Sequence, residues 1–423
     1  DLTESNFYRS KFVDANLENA NLTKAEFVDV DLTKIKNKSL AGADLSEASF
    51  AHSNLSGVDL SGAILDKTNF WKADLSGVDF TVTDVITDGL TFIDANLSNS
   101  NFEGVDLSPK ESYFEVFKNK AHLMPGVTQS SEAELVIMGE LFGNNAYLVK
   151  VVSAQVLETD LAIKFIYFNH FGEANLKNAN LISANLVSVN LSGADLSGAK
   201  MFGAKAMRVN LQNANLSGAS LLKANFSRAN FQESNLNDAD LMGANLSDVE
   251  LMKASLIRAK LVEAYLANAN LTGADLTEAK LSGRYQREGY FSRGADLRKA
   301  KLIGAKMVRA DLTAAEMNET DCSEADFSGA NLSEVNFKHA CLKSACFVNA
   351  KLSDADFGAA DLTDADFSGA ELIEAKFRRV DLRKVKNISP EELELAFIDS
   401  ETQISDYIEV KWTSEDTYEC RLK

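Results

Sequence analysis

Proline is nearly absent from this 423-residue chain, with only Pro109, Pro125 and Pro390, and all three lie outside the patterned stretches described below. Cysteine is as scarce. Cys322, Cys341, Cys346 and Cys420 are too few and too clustered for a disulfide framework, which points to a reducing, cytoplasmic compartment. The four histidines, His52, His122, His170 and His339, stand alone, without a His-Glu-x-x-His or a second ligand at helical spacing, so no metal site is expected. No run approaches the ~18 consecutive apolar residues of a membrane span. No charged-then-apolar leader opens the chain either. These gaps argue against a disulfide-stapled secreted domain and a helical membrane protein, and for a soluble chain. The sequence opens at Asp1 without a methionine, so an upstream leader or domain stays an open alternative.

What the chain has in excess is acid, with a formal net charge of -19, unevenly spread. Residues 1-107 carry 8 basic and 18 acidic side chains and 108-171 carry 5 and 7, whereas 172-388 balance 27 against 27. The last 35 residues carry 3 basic and 10 acidic. An acidic chain repels phosphates, so direct nucleic-acid binding is not expected. A protein that imitates DNA would have to use residues 40-107, where eleven carboxylates face only Lys67 and Lys72.

Repetition organises most of the rest. Ala-Asn-Leu or Ala-Asp-Leu returns every five residues, as at Ala174-Asn175-Leu176, Ala184-Asn185-Leu186 and Ala194-Asp195-Leu196. Counting the Leu or Phe as the centre gives registers Leu2 to Leu32, Leu40 to Leu90, Leu97 to Leu107, Leu176 to Leu281 and Leu297 to Leu382. Their 61 central positions are all Leu, Phe, Met, Val, Ala or Cys. A period of five fits neither a helix at 3.6 nor a strand at 2.0. A coil that turns a corner every five residues would instead aim each centre, and the small residue two before it, at one axis. Facing walls of so narrow a coil leave room for one large side chain per wall. Asn, Asp, Ser and Gly then supply the corners. A disordered low-complexity chain would lack the apolar content to offset its ordering entropy.

With these repeats the chain resembles the pentapeptide-repeat family over residues 1-107 and 172-388. The resemblance implies a right-handed, four-sided parallel β-helix with four pentapeptides per coil. The sequence agrees: Phe327, Phe347 and Phe367 lie twenty apart, as do Phe337, Phe357 and Phe377, so each set should stack as a ladder. At roughly 4.8 Å per coil the second tract makes about ten coils. Each buried Leu or Phe is worth ~1.5-3 kcal/mol before entropy, so a charge at Leu352 should be costly.

The interruptions divide the molecule. Ser108-Pro109-Lys110-Glu111 and Ser389-Pro390-Glu391-Glu392 both read as capping boxes that start helices, each ending a repeat tract. An open solenoid end would otherwise template aggregation. The expected organisation is an N-terminal β-helix (1-107), a non-repeat α+β module with a cap helix (108-171), a C-terminal β-helix with a loop at 283-294 (172-388), and a cap helix with an acidic tail (389-423). Two separate β-helices are favoured over one with a lateral insertion. Within the module, Ser131 to Phe142 has helical spacing, and Tyr147 to Leu157 and Leu161 to Phe168 read as strands.

Signals for chemistry are weak. No Gly-rich phosphate loop or Gly-x-Ser-x-Gly elbow occurs, the many Asp belong to the repeat, and enzyme activity is not supported. No cofactor is implied. Cys341 and Cys346 hold the same pentapeptide position on successive walls and should point apart, while Cys322 is a small core residue. The loop between Leu281 and Leu297 carries Arg284, Tyr285, Arg287, Tyr290, Phe291 and Arg293, followed by Arg298, Lys299 and Lys301. Cations mixed with aromatics mark binding hot spots. The favoured expectation is a non-catalytic scaffold that uses this loop and its walls to hold protein partners. The alternative follows from the resemblance: some family members imitate duplex DNA and protect type II topoisomerases such as gyrase. Here that would use Asp44, Glu47, Asp59, Asp66, Asp74 and Asp79. Family rods often pair end to end, so a dimer is possible.

Overall fold

An outward Asn or Asp can bend the chain without help. In a computed structural model of the protein, the Oδ1 atoms of Asn190, Asp195 and Asp275 accept from the N–H two residues on, in Ser192 (3.1 Å), Ser197 (3.0 Å) and Thr277 (3.0 Å). A Ser or Thr there adds its hydroxyl, as Thr277 does at 2.6 Å. The corner closes when the N–H of Ala179 donates to the Leu176 carbonyl at 2.9 Å. The second corner residue has a positive φ, which favours glycine (Gly193, +68°) but is also met by Asn178 (+56°) and Lys223 (+53°). Between corners each centre donates to the next coil, as Leu176 does to the Asp195 carbonyl at 2.7 Å, and the outward residue donates back, as Asp195 does to Ala174 at 2.9 Å. Every N–H of the pentad thus has a partner. The parallel bridges recur twenty residues apart, so four pentads make one coil.

The structure describes residues 1-83, 89-109, 112-117, 135-137, 148-157, 160-283, 294-414 and 417-423. They fall into two units, Asp1–Asn215 and Leu216–Lys423.

In the first unit the core is a column of phenylalanines. Phe27, Phe50, Phe70, Phe92 and Phe171 stack face to face with ring centroids 4.7 to 5.5 Å apart. Three interruptions are absorbed without breaking it. Extra residues around 35-39 form two short 3-10 turns, so Asn21 bridges Asp44 rather than a residue twenty on. Asn69 bridges Thr91, which puts Phe92 at a centre five residues before Leu97, where the sequence register resumes. The third interruption corrects an expectation. Thr91, Asn96, Asn101 and Asp106 bridge directly to His170, Asn175, Asn180 and Asn185. Residues 108-169 are therefore a lateral insertion in a continuous ladder and do not end a first β-helix. Asn169, 1% exposed, stitches the gap: its side chain accepts from Leu90 N–H at 3.0 Å and donates to the Leu107 carbonyl at 2.9 Å.

The insertion holds a four-stranded antiparallel sheet of β1 (Ser112–Phe117), β2 (Leu135–Ile137), β3 (Leu148–Leu157) and β4 (Asp160–Phe168), in the order β1-β4-β3-β2. The two later strands lie where the sequence puts them. The expected cap helix after Ser108 is a correction: Ser108 donates to Asp106 Oδ1 (2.6 Å) as another corner residue, and the Tyr-Phe-Glu-Val-Phe run pairs with β4. Aromatic and β-branched residues with a sheet partner outweigh a helix-start signal. Leu135–Ile137 likewise pairs with β3 instead of continuing a helix, and the rest of that expected helix, with Lys110 and Glu111, lies outside the described residues.

In the second unit the spacing is regular. Phe327, Phe347 and Phe367 stack at 5.2 and 4.8 Å, and Phe337, Phe357 and Phe377 at 5.3 and 5.0 Å, as the sequence predicts. Leu352 between them is fully buried. The excursion after Leu281 is closed by Ala295 N–H donating to the Leu281 carbonyl at 2.8 Å. Gly294 is required there, since a Cβ would lie 2.5 Å from the Ala314 carbonyl oxygen. Helix α1 (Pro390–Glu394) has the full capping box between Ser389 and Glu392. The chain then rejoins the ladder, with Lys376 bridging Phe397 and Asp381 bridging Gln403, before a hairpin of β5 (Ile408–Trp412) and β6 (Tyr418–Leu422). Tyr418 anchors the hairpin, its hydroxyl donating to the Leu393 carbonyl at 2.9 Å.

Candidate functional site

Because inward positions are consumed by packing, any function has to come from outward ones. In the second unit several charged outward residues are answered one coil away. Arg258 forks onto Asp238 (2.7 Å), Lys260 meets Asp240 (3.5 Å), Arg309 meets Glu278 (2.6 Å) and Lys343 meets Asp361 (3.2 Å). The bidentate Arg258 contact holds the Asp238 carboxyl below its usual range. Such exposed pairs add little to stability individually, and they leave few isolated charges along the walls they join.

Of the sequence-predicted partner residues, Arg284, Tyr285, Arg287, Tyr290, Phe291 and Arg293 lie outside the described residues. Arg298 is clamped on Asp296 by two bonds of 2.8 and 2.6 Å, and Lys299 faces Glu319 at 3.7 Å. In the first unit the six acidic candidates do not share a wall. Asp44 and the neighbouring corner residues Glu47 and Asp66 lie together, Asp74 is on a second wall, and Asp59 and Asp79 are on a third. One carboxylate oxygen each of Asp44, Asp59, Asp74 and Asp79 accepts the N–H of its own corner.

One column of the second unit departs from the pattern. It runs from Asn225 to Phe397 through Tyr265, Asp296, Glu316 and Asp356, and it is concave. Tyr265 and Phe397 stand where the repeat favours Asn or Asp and are 57% and 41% exposed. A cleft of about 1070 Å³ lies between Phe397, Trp412 of β5 and the basic residues Lys338, Arg378 and Arg379. A second, of about 630 Å³, shares Lys338 and His339 with it and reaches Tyr265. Sequence reasoning missed Tyr265, Arg378, Arg379, Phe397 and Trp412. The signal was there in an Ala-Tyr-Leu among Ala-Asn-Leu repeats and in the Phe-Arg-Arg of residues 377-379.

Two perturbed groups elsewhere are enclosed. Burial pushes the Cys322 thiol up to about 12 and lowers His170 to about 4. Cys341 and Cys346 instead contact Ser323 and Ser328 at 3.2 Å. Among the described residues no group of His, Cys, Asp or Glu could hold a metal ion, and no helix is long and apolar enough to cross a membrane.

A family model described as pentapeptide repeats matches eight segments: 1-36, 43-81, 170-205, 210-248, 250-283, 292-313, 315-354 and 350-386. Among curated proteins nothing matches. The structure is similar to HetL, a pentapeptide repeat protein involved in heterocyst differentiation regulation in the cyanobacterium Nostoc, with 32% identity, 48% of this chain and 90% of HetL covered, and a TM-score of 0.38. A pentapeptide repeat protein of the Arabidopsis thaliana thylakoid lumen is also 32% identical, over 24% of this chain and 72% of its own, with a TM-score of 0.23. QnrB1, a plasmid-mediated fluoroquinolone resistance protein, is 16% identical over 47% and 88%, with a TM-score of 0.27.

Proposed function

Since the chain belongs to the pentapeptide-repeat family and winds as its β-helix solenoid, we propose that it is a non-catalytic scaffold that holds protein partners on its outward walls. The observation that carries this reading is the concave column of the second unit. There Tyr265 and Phe397 replace the turn-forming Asn or Asp and stand exposed, a cost in solvation that folding does not require. Elsewhere coil-to-coil ion pairs neutralise part of the wall charge, and the groups with shifted acidity that sit in the core, Cys322 and His170, are closed to substrate. In the same reading α1 and the hairpin cover the last coil, and the compartment is the cytoplasm.

The test is in-cell photo-crosslinking with a photoreactive residue at Tyr265 and, as a control, at Lys260 on a neighbouring wall. A scaffold gives a defined protein adduct from Tyr265 and not from Lys260. Equal, diffuse labelling from both would contradict the reading. A gyrase supercoiling assay with the full chain separates it from the DNA-mimic alternative: a scaffold leaves the enzyme and its inhibitor sensitivity unchanged.

A further inference from the structure

The end of the concave column combines two features that the fold does not need. The first is apolar surface in water: Phe397 and Trp412, each 41% exposed, border the same cleft. Trp412 is held there by the β5–β6 hairpin and an edge-on contact with Tyr418, ring centroids 5.2 Å apart. The second is a local excess of positive charge, only part of which is paired, Arg383 being clamped on Asp381 at 2.7 Å. Residues 376-386 carry six cations, Lys376, Arg378, Arg379, Arg383, Lys384 and Lys386, against Asp381 alone. Lys338 is engaged by Asp356 at 3.0 Å and Arg379 by Glu401 at 3.3 Å, whereas Arg378, exposed at the cleft, has no ion-pair partner among the described residues. Guanidinium groups beside exposed aromatic faces are the composition of a binding hot spot.

We propose that this cleft docks an acidic peptide segment bearing an aromatic or aliphatic anchor, its carboxylates meeting Arg378 and Arg379 and its anchor seated between Phe397 and Trp412. The inference rests on the scaffold reading and names the chemistry of the partner. The adjoining cleft that shares Lys338 and His339 gives an extended chain room to continue toward Tyr265. A nucleic-acid strand shares the charge but not the fit. Asp356 and Asp399 line the same cleft and the whole chain carries -19, which penalises closely spaced backbone phosphates more than a few carboxylates set apart along a peptide whose apolar anchor adds contact of its own.

The experiment uses the full chain with Trp71→Phe, which leaves Trp412 as the sole tryptophan. It is titrated with a synthetic nonapeptide of repeating Glu-Phe-Glu, with nonaglutamate, and with an oligothymidylate. Saturable change in Trp412 emission is expected with the Glu-Phe-Glu peptide, at least tenfold weaker binding of nonaglutamate, and none of oligothymidylate. Arg378→Glu should weaken peptide binding at least tenfold. Lys384→Glu, the same charge change on the same coil but outside the cleft, should weaken it less than twofold, with far-UV circular dichroism unchanged in both. No saturable peptide binding, equal losses in the two variants, or tighter binding of oligothymidylate would overturn the proposal. If the Tyr265 adduct of the wild-type chain also forms with Arg378→Glu, the scaffold reading stands and the docking assignment falls. If the wild-type chain forms no adduct, the scaffold reading itself falls.

Discussion

The two phenylalanine ladders do the same work on different chain lengths. In the second unit Phe327, Phe347 and Phe367 are each twenty residues apart, while in the first Phe27, Phe50, Phe70, Phe92 and Phe171 are separated by 23, 20, 22 and 79. Yet the ring spacings overlap, 4.8 to 5.2 Å in the regular ladder and 4.7 to 5.5 Å in the interrupted one. Inward stacking and the coil-to-coil hydrogen bonds therefore set which residues are neighbours, and the chain between them is free to lengthen outward. The cost is modest. Extending a closed loop from about 20 to about 80 residues adds only ~1 kcal/mol of closure entropy.

If the ladders are equivalent, Phe92→Ala and Phe347→Ala should destabilise by similar amounts, ~3-5 kcal/mol each, in equilibrium denaturation followed by circular dichroism. A mild effect at Phe92 alone would show that the ladder across the insertion is not a packed core. The interrupted ladder also has a weakness that the regular one lacks. Asn169→Ala would orphan the buried Leu90 N–H and Leu107 carbonyl, and is expected to cost ~2-6 kcal/mol at about 1-3 kcal/mol per unpaired group. The same denaturation measurement checks it, with Asn349→Ala, at a corner of the regular ladder, as a control of small effect.

A smaller effect comes from His170, whose ring stands on the ladder where Asn is usual and is held by burial at about 4. The folded state keeps this imidazole neutral, so as pH falls below 6.5 the unfolded chain takes up the proton first. Stability present above pH 6.5 should be lost progressively down to about pH 4, by about 3 kcal/mol at most. The carboxylates whose acidity is strengthened, Asp366 and Asp381 among them, lose their contribution only below 3.8. His170→Asn should flatten the denaturation free energy between pH 6.5 and 4.5, and a persistent slope would assign the effect elsewhere. The smallest change is a gain. Ala359 sits at a corner with φ +57°, where Ala359→Gly should relieve strain and raise stability by ~0.5-1 kcal/mol.

Much of this was legible because the pentad is a packing rule repeated many times over. Leu176, Leu352 and the phenylalanines announce a dry interior, and the capping box at Ser389 announces α1. What failed at Ser108 is instructive, since the same Ser-Pro-x-Glu signal there meets a run that a neighbouring strand can pair, and local propensity yields to the sheet. The continuity of the ladder across residues 108-169 was not legible, because no local signal tells Leu107 whether its hydrogen bonds are met by a cap or by Asn185. The concave column was half visible. Tyr265 and Phe397 break the pattern in the sequence, but only the coil count places them on one wall with Arg378, and only the hairpin brings Trp412 beside them.

The central claim is that coils on either side of the insertion are direct neighbours. Its most direct test pairs Asn101→Cys with Asn180→Cys, bridged partners 79 residues apart, in a chain whose native cysteines are replaced by serine. A short thiol cross-linker such as dibromobimane should join them as efficiently as the control pair Asn175→Cys and Asp195→Cys, with the product mapped by mass spectrometry. Cross-linking of the control pair without any of the Asn101–Asn180 pair would contradict the continuous ladder.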